Sequence, residues 1–418
     1  MTRSLLIAPA TEDAGLARTC LGLLRALDRA GVRVAYVKPV AQPRADGSPD
    51  RSAALVAAVT ALRPPEPLGT AELERQLGDG GLDAVLEKIV AAWTPVYDGS
   101  DVVVVEGLSP ERSRLYATAL NQALARALDA DVVLVGGWPP DGGVDGLAER
   151  LAIAASGYTS GEQARVTGCV VHGLPPSGTG TAPASALRAA LERRGLRLIA
   201  AVPHRPELTW PRVADLVREL RPEVVHEGDM SRRIKDVAVM AQGIPGGIRV
   251  LDDGRLIVVP GDRHEVVMAA CLAAMNGTQL AALLLSAGVR PDPRVWDLAR
   301  AAANGLPVLL VDTDSYQTAT RVRDLDPGLP PDDVDRIEAV TSIIADALNA
   351  SWLRSLLSPP VRAGSPRPRS AISWWSRPAP PTRSSSCPRA PNPARSAPRP
   401  NAPAAVSPAA CCSAPRTR

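Results

Sequence analysis

From residue 1 to residue 357 the chain repeats one pattern: a short, nearly continuous apolar run, then a longer amphipathic stretch. Ser4-Leu-Leu-Ile-Ala8, Val32 to Lys38, Val102-Val-Val-Val-Glu106, Val132-Val-Leu-Val135, Cys169-Val-Val171 and Leu198-Ile-Ala-Ala-Val202 read as strands. Runs without polar alternation belong to strands buried on both faces, which is the signature of a parallel sheet between helical layers. Leu16 to Ala30 reads as a covering helix, with Leu21, Leu24 and Leu27 at helical spacing and Gly31 just past its end. A first α/β domain is expected over residues 1–208. Val224-Val225, Ile248-Arg-Val-Leu251, Leu256-Ile-Val-Val259, Ala281-Ala-Leu-Leu-Leu285 and Pro307-Val-Leu-Leu-Val311 predict a second sheet. Its helices are expected over Glu265–Met275, Pro293–Ala303 and Asp333–Leu348, giving a second domain over 209–357.

The pattern stops at about residue 358. Pro359 to Arg418 holds 15 Pro and 10 Arg and no Asp, Glu or Lys. The formal net charge of +3 therefore comes from the tail, because residues 1–358 carry 37 Arg and Lys against 44 Asp and Glu. A whole-chain reading as a basic nucleic-acid-binding protein fails on that split. Three lysines, Lys38, Lys88 and Lys235, stand against 44 arginines, which points to a GC-rich gene. Cys20, Cys169 and Cys271 are far apart and form neither a disulfide framework nor a zinc pattern. The apolar run from Leu5 is short and ends in Thr-Glu-Asp, unlike a signal peptide. No run reaches the ~18 apolar residues of a membrane span. A cytoplasmic protein is expected, with neither nucleic acid nor membrane as partner.

The first strand–turn–helix is where a phosphate loop would sit. Such a loop needs glycines for backbone approach, a Lys for the β/γ-phosphates and a hydroxyl for Mg²⁺. Here it runs Ala8-Pro-Ala-Thr-Glu-Asp-Ala-Gly-Leu-Ala-Arg18. Gly15 fits the last glycine, but Ala10, Leu16 and Ala17 stand at the first glycine, the lysine and the hydroxyl. Glu12 and Asp13 add negative charge, and Arg18 is a nearby cation. Two readings stay open: a structural relic, or weak ligand binding at the helix N-terminus. Lys38 and Glu106 end the second and third strands, and either faces solvent or serves a ligand. Candidate ligand positions are thus Thr11, Gly15, Lys38 and Glu106. In the second unit, Pro260-Gly-Asp-Arg-His-Glu265 is a turn into a helix, with Asp262 placed to cap it. Asp262 and Arg263 are its candidate regulatory-ligand residues. His172, His204, His226 and His264 form no recognisable catalytic pattern, and surface or strand-end roles are expected. No catalytic or metal-binding residue is assigned, and no cofactor is expected.

Several stretches, in order, resemble the long form of bacterial phosphate acetyltransferase: Ser4-Leu-Leu-Ile-Ala-Pro9, Gly15-Leu16 and Val37-Lys-Pro-Val-Ala-Gln-Pro43. Val104-Val-Glu-Gly-Leu108, His226-Glu-Gly-Asp229, Ala270-Cys-Leu-Ala-Ala-Met-Asn-Gly277 and Gly305-Leu-Pro-Val308 continue it over roughly residues 1–358. The resemblance implies a first domain similar to dethiobiotin synthetase, of P-loop type and without the loop lysine. It implies a second, DRTGG domain, whose naming motif here keeps Asp262-Arg263 and loses Thr-Gly-Gly. In that family the two domains precede a catalytic domain that converts acetyl-CoA and phosphate to acetyl phosphate and CoA. They are associated there with stability, hexamer assembly and control by small metabolites. The chemistry needs phosphate held against the thioester carbonyl and a stabilised oxyanion, and the residues that do this have no counterpart here. Alternatives are an ATP-dependent ligase resembling dethiobiotin synthetase, or a non-enzymatic metabolite-sensing oligomerisation module.

The tail suggests where the catalytic part went. Trp374-Trp375 fixes the codons TGGTGG; one base out of phase, CTG GTG GA reads Leu-Val-Glu or Leu-Val-Asp. In that frame suitable codons turn the segment from Gly364 into Leu-Ser-Pro-Pro-Ala-Phe-Arg-Asp-Gln-Leu-Val-Glu. Ser384 to Ser396 becomes a run containing Val-Leu-Pro-Glu-Gly-Ala-Glu-Pro-Arg-Thr-Val. Both match what the family carries after this point, so a one-base frameshift near residues 358–364 is expected. The other reading is a genuine basic tail. Either way, residues 358–418 are expected to be disordered, being rich in Pro and lacking a hydrophobic pattern.

Overall fold

The computed structural model describes residues 2–357, apart from 12–13, 43–49, 80, 98, 111–115, 142, 160–164, 177–181 and 326–327. Glu12, Asp13 and the tail with its frame-shifted reading lie outside the described residues. The first sheet contains β1 (Arg3–Pro9), β2 (Val34–Val37), β3 (Val102–Glu106), β4 (Asp131–Gly137), β5 (Arg165–Leu174) and β6 (Leu198–Pro203). Their spatial order is β2-β3-β1-β4-β5-β6, and every pairing is parallel. The central strand shows why the runs lack alternation. Leu6 and Ala8 enter one core and Leu5 and Ile7 the other, all fully buried. Each face is covered, so each position is apolar.

The helix Leu16–Arg29 covers one face, and its partner comes from the far end of the chain. The helices Val334–Ala347 and Ala350–Leu357 pack on the first domain rather than completing the second. The expected boundary of 209–357 is corrected accordingly. Gly22 permits the approach: a Cβ there would fall 2.5 Å from Ile344 Cβ. Ile337, Ile344, Trp352 and Leu356 are buried in this contact. Burial contributes about 1.5–3 kcal/mol for each large apolar side chain. The exposed pairs Arg25–Glu338 and Arg29–Asp346 are worth at most about 1 kcal/mol each, so apolar packing sets the docking. Arg3 locks the last turn by donating from Nη1 to the carbonyls of Ser355 and Leu356, each at 2.9 Å. Its Nε meets Asp131 at 2.6 Å.

The second sheet has β7 (Glu223–His226), β8 (Asp236–Val239), β9 (Arg255–Pro260), β10 (Ala282–Ser286) and β11 (Val308–Leu310), in the order β7-β11-β10-β9-β8. β7 is antiparallel to β11, and the other pairings are parallel. The run Ile248 to Leu251 is not a strand. Pro245-Gly-Gly247 ends a short turn of helix, and Ile248–Val250 continues as a 3₁₀ turn with local backbone bonds. The edge is taken instead by β8, which the sequence reading missed because its four residues are too few to show a period. At the junction of the sheets, Arg233 makes a bidentate pair with Asp333, both bonds 2.6 Å. Arg212 reaches Asp215 and Asp332 at 2.9 and 2.8 Å. These fix the residues immediately before the docked helix.

Candidate functional site

All candidate positions of the first domain sit at the C-terminal edge of its sheet, where open α/β sheets bind ligands. Gly15 caps the first helix in the left-handed region, with φ of +73°, a conformation that disfavours any side chain. The next residue, Leu16, turns into the core. The lysine position therefore points away from where phosphate would lie. Thr11 Oγ1 accepts from the Gly137 amide at 3.0 Å, which ties the loop to the end of β4.

Lys38 and Glu106 are brought together and buried, not turned to solvent; the solvent-facing alternative is corrected. Lys38 Nζ donates to Glu106 Oε1 at 2.6 Å and lies 3.4 Å from Asp50. The Tyr36 hydroxyl donates to the other Glu106 oxygen at 2.6 Å. Asp50 accepts from the amides of Gln42 and Ser52 at 2.8 and 2.7 Å. Burial alone would push the Lys38 ammonium down, but Glu106 and Asp50 outweigh it and hold its pKa above the ordinary value. Burial, and then Glu106, raise the pKa of Tyr36 and of the Cys20 thiol. All three groups keep their protons. Both oxygens of Glu106 are thus engaged by donors from this chain itself. Among the described residues no cluster of three or more His, Cys, Asp or Glu is placed to hold a metal ion.

On the other side of the first helix, Thr19 Oγ1 donates to the Gly15 carbonyl at 3.0 Å and lies 2.7 Å from His172 Nε2. With the hydroxyl proton so used, Nε2 is the donor of a neutral imidazole. Burial and the nearby Arg18 charge push the His172 pKa down to about 4. His172 forms part of a cleft of about 240 Å³ with Arg18, His204, Arg205 and Arg336. Surface or strand-end roles are the expectation for both: His172 lies near the end of β5, partly buried, and exposed His204 follows β6. Their union with Arg336 has no sequence signal, since nothing local marks a residue that arrives on a helix from beyond the second sheet.

A family profile described as an AAA domain matches residues 3–212, half of the chain. The chain belongs to this family. A DRTGG domain profile matches residues 215–325, which leaves the docked helices outside it. The phosphate acetyltransferase of Pseudomonas putida is 38% identical over 367 residues, covering 86% of this chain and 52% of that protein. The Escherichia coli phosphate acetyltransferase is 34% identical over 378 residues, covering 85% and 53%. The expected resemblance holds, and the chain spans about half the length of the curated relatives it matches. A solved structure of the CBS and DRTGG domains of the regulatory region of Clostridium perfringens pyrophosphatase, with the activator diadenosine tetraphosphate, aligns at 20% identity and a TM-score of 0.23. It covers 29% of this chain and 49% of that one. No described helix is long and apolar enough to cross a membrane.

Within the DRTGG domain, Asp262 is exposed and does not cap the helix His264–Met275. The cap position is Arg263, without a side-chain bond, so the expected Asp262 cap is corrected. The turn is held elsewhere. Gly261 packs against the 289–290 backbone, where a Cβ would lie 2.9 Å from the Arg290 carbonyl carbon. Arg263 donates to Glu265 at 2.6 Å and to the Gln242 carbonyl at 3.0 Å. His264 Nε2 accepts from the Asp292 amide at 3.1 Å. Two of the family-like stretches meet in space, because the Asp229 amide donates to the Gly305 carbonyl at 2.8 Å. A Cβ on Gly228 would fall 2.5 Å from that same oxygen.

Proposed function

We propose that this chain is the regulatory and assembly region of a phosphate acetyltransferase, without acetyl transfer of its own. The observation that carries the reading is the extent of the match: most of this chain, but only 52–53% of each relative. The acetyl-CoA and phosphate chemistry is then assigned to the half of the relatives that this chain does not match. The tail keeps two readings, a shifted frame or a genuine extension. Sequencing the gene decides between them; an intact single frame across residues 358–364 removes the frameshift.

Small metabolites as effectors and a homo-oligomer, a hexamer by family resemblance, belong to the same proposal. The ATP-dependent ligase reading is disfavoured by Leu16 in the core and by Glu106 already bonded to Lys38 and Tyr36. The test is to follow CoA release from acetyl-CoA and phosphate with the purified 418-residue chain. Background rates are expected, and turnover above background overturns the reading. Binding of ATP with Mg²⁺ by calorimetry would restore the ligase alternative.

A further inference from the structure

The cleft behind the first helix is lined by arginines, one of which is buried with unused donors. Arg336, on the helix Val334–Ala347, is only 4% exposed, yet its Nε and Nη1 have no hydrogen-bond partner. It lines the cleft together with Arg18, from the first turn of the helix Leu16–Arg29, and with His172, His204 and Arg205. Among the described residues no carboxylate lines that space. Arg205 lies 3.7 Å from Glu207, whereas Arg18 has no ion pair among the described residues. Burial first, and then the charge of Arg18, lower the Arg336 pKa, against the opposing pull of Asp333 and Asp215. Two guanidinium groups thus repel each other across a space to which the described residues bring no carboxylate.

A buried guanidinium with unused donors is costly, and such groups in native proteins call for a specific explanation. A guanidinium offers its donors in planar forks, Nε with Nη2 and Nη1 with Nη2, that match the oxygens of a carboxylate or phosphate, and Nε and Nη1 here leave each fork with one unused donor. A water needs roughly 10–15 Å³ of such space, so a cleft of about 240 Å³ admits a small molecule rather than a lone ion. Val202, Leu329, Val340 and Ile343 add apolar lining, Val340 one helical turn beyond Arg336. We infer that this cleft binds a small metabolite with an oxyanion head, phosphoryl or carboxylate, seated on Arg336 and Arg18, and an apolar body against Val202 and Val340. The site joins the first domain to the docked C-terminal helix, so occupancy clamps the two together. It does not depend on the acyltransferase reading.

Calorimetric titration and thermal melting of the full 418-residue chain test this with phenyl phosphate, benzoate, inorganic phosphate and neutral phenol, at ionic strength matched with chloride. Phenyl phosphate or benzoate should bind and raise the melting temperature, with phenol and chloride silent; which of the two binds tighter identifies the head group. Arg336→Met should weaken binding at least tenfold while melting no lower than the parent without ligand, because it removes an unpartnered buried charge. An arginine that serves only structure would instead lower the melting temperature and leave binding intact. Should Arg336→Met fail to fold, Arg18→Gln decides, since Arg18 is partly exposed and its loss leaves the core intact. Unchanged binding in folded Arg18→Gln, or equal shifts with chloride and phenyl phosphate, overturns the inference.

Discussion

Replacing Lys38 by Met isolates what the buried charge cluster contributes. The ammonium is 4% exposed, 2.6 Å from Glu106 and 3.4 Å from Asp50. Methionine keeps most of the volume, so a cavity contributes little, and the cost is electrostatic. Glu106 would retain the Tyr36 hydroxyl and Asp50 its two backbone amides, but neither would have a counter-charge. Removing one partner of a buried pair typically costs 3–5 kcal/mol, whereas replacing both partners by apolar groups is often neutral. We therefore expect a loss of about 3–5 kcal/mol in the first domain, and partial recovery when Glu106→Gln is added, which removes the orphaned charge. Against a typical total stability of 5–15 kcal/mol, this is measurable without abolishing the fold. Because two sheets do not guarantee one unfolding transition, the assay is native-state hydrogen exchange resolved by peptide. Protection of β1 and β3 should fall while β9 and β10, in the other sheet, keep theirs. A loss below about 1 kcal/mol in β1 and β3, or an equal loss in both sheets, would refute the argument, as would a double variant no better than Lys38→Met alone.

Further expectations concern the two sides of the first helix. Gly22→Ala gains about 1 kcal/mol of helix propensity but places its methyl against Ile344, an overpacking cost of about 1–3 kcal/mol. The net should be destabilising, seen as lost exchange protection over 334–357. Gly22→Leu should release that segment. His172, at about pKa 4 when folded against about 6.5 when free, stays neutral in the fold and takes a proton on unfolding. Its contribution is fully present above about pH 6.5 and is lost as pH falls through 4, by at most about 3 kcal/mol. His172→Gln should flatten the fall in urea-unfolding free energy between pH 7 and 4.5.

Much of the fold was legible because it is written in local pattern. Both-face burial of β1 and β3 appears as unbroken Leu, Ile and Val, and the first helix as Leu at helical spacing ended by Gly31. Ile248 to Leu251 misled because a four-residue apolar run has no period that separates strand from turn, and Pro245-Gly-Gly247 decided for the turn. The site was half legible. Lys38 and Glu106 were found as strand-end residues, but two strands that are not sequence neighbours must pair with a third before their ends become one cluster.

The family-like stretches identify the chain's relatives from the linear order of residues alone, and the loss of the loop lysine at Leu16 is a fact of the sequence. Which residue fills the space was decided only by tertiary structure. Lys38 and Tyr36 engage the two oxygens of Glu106, and Arg336 arrives on a distant helix with no ion pair among the described residues to line one cleft with Arg18. The reason is physical: periodicity records which face of an element avoids water, whereas charge pairing depends on distances between elements. Those distances are set here by a contact at Gly22 that has no local signature.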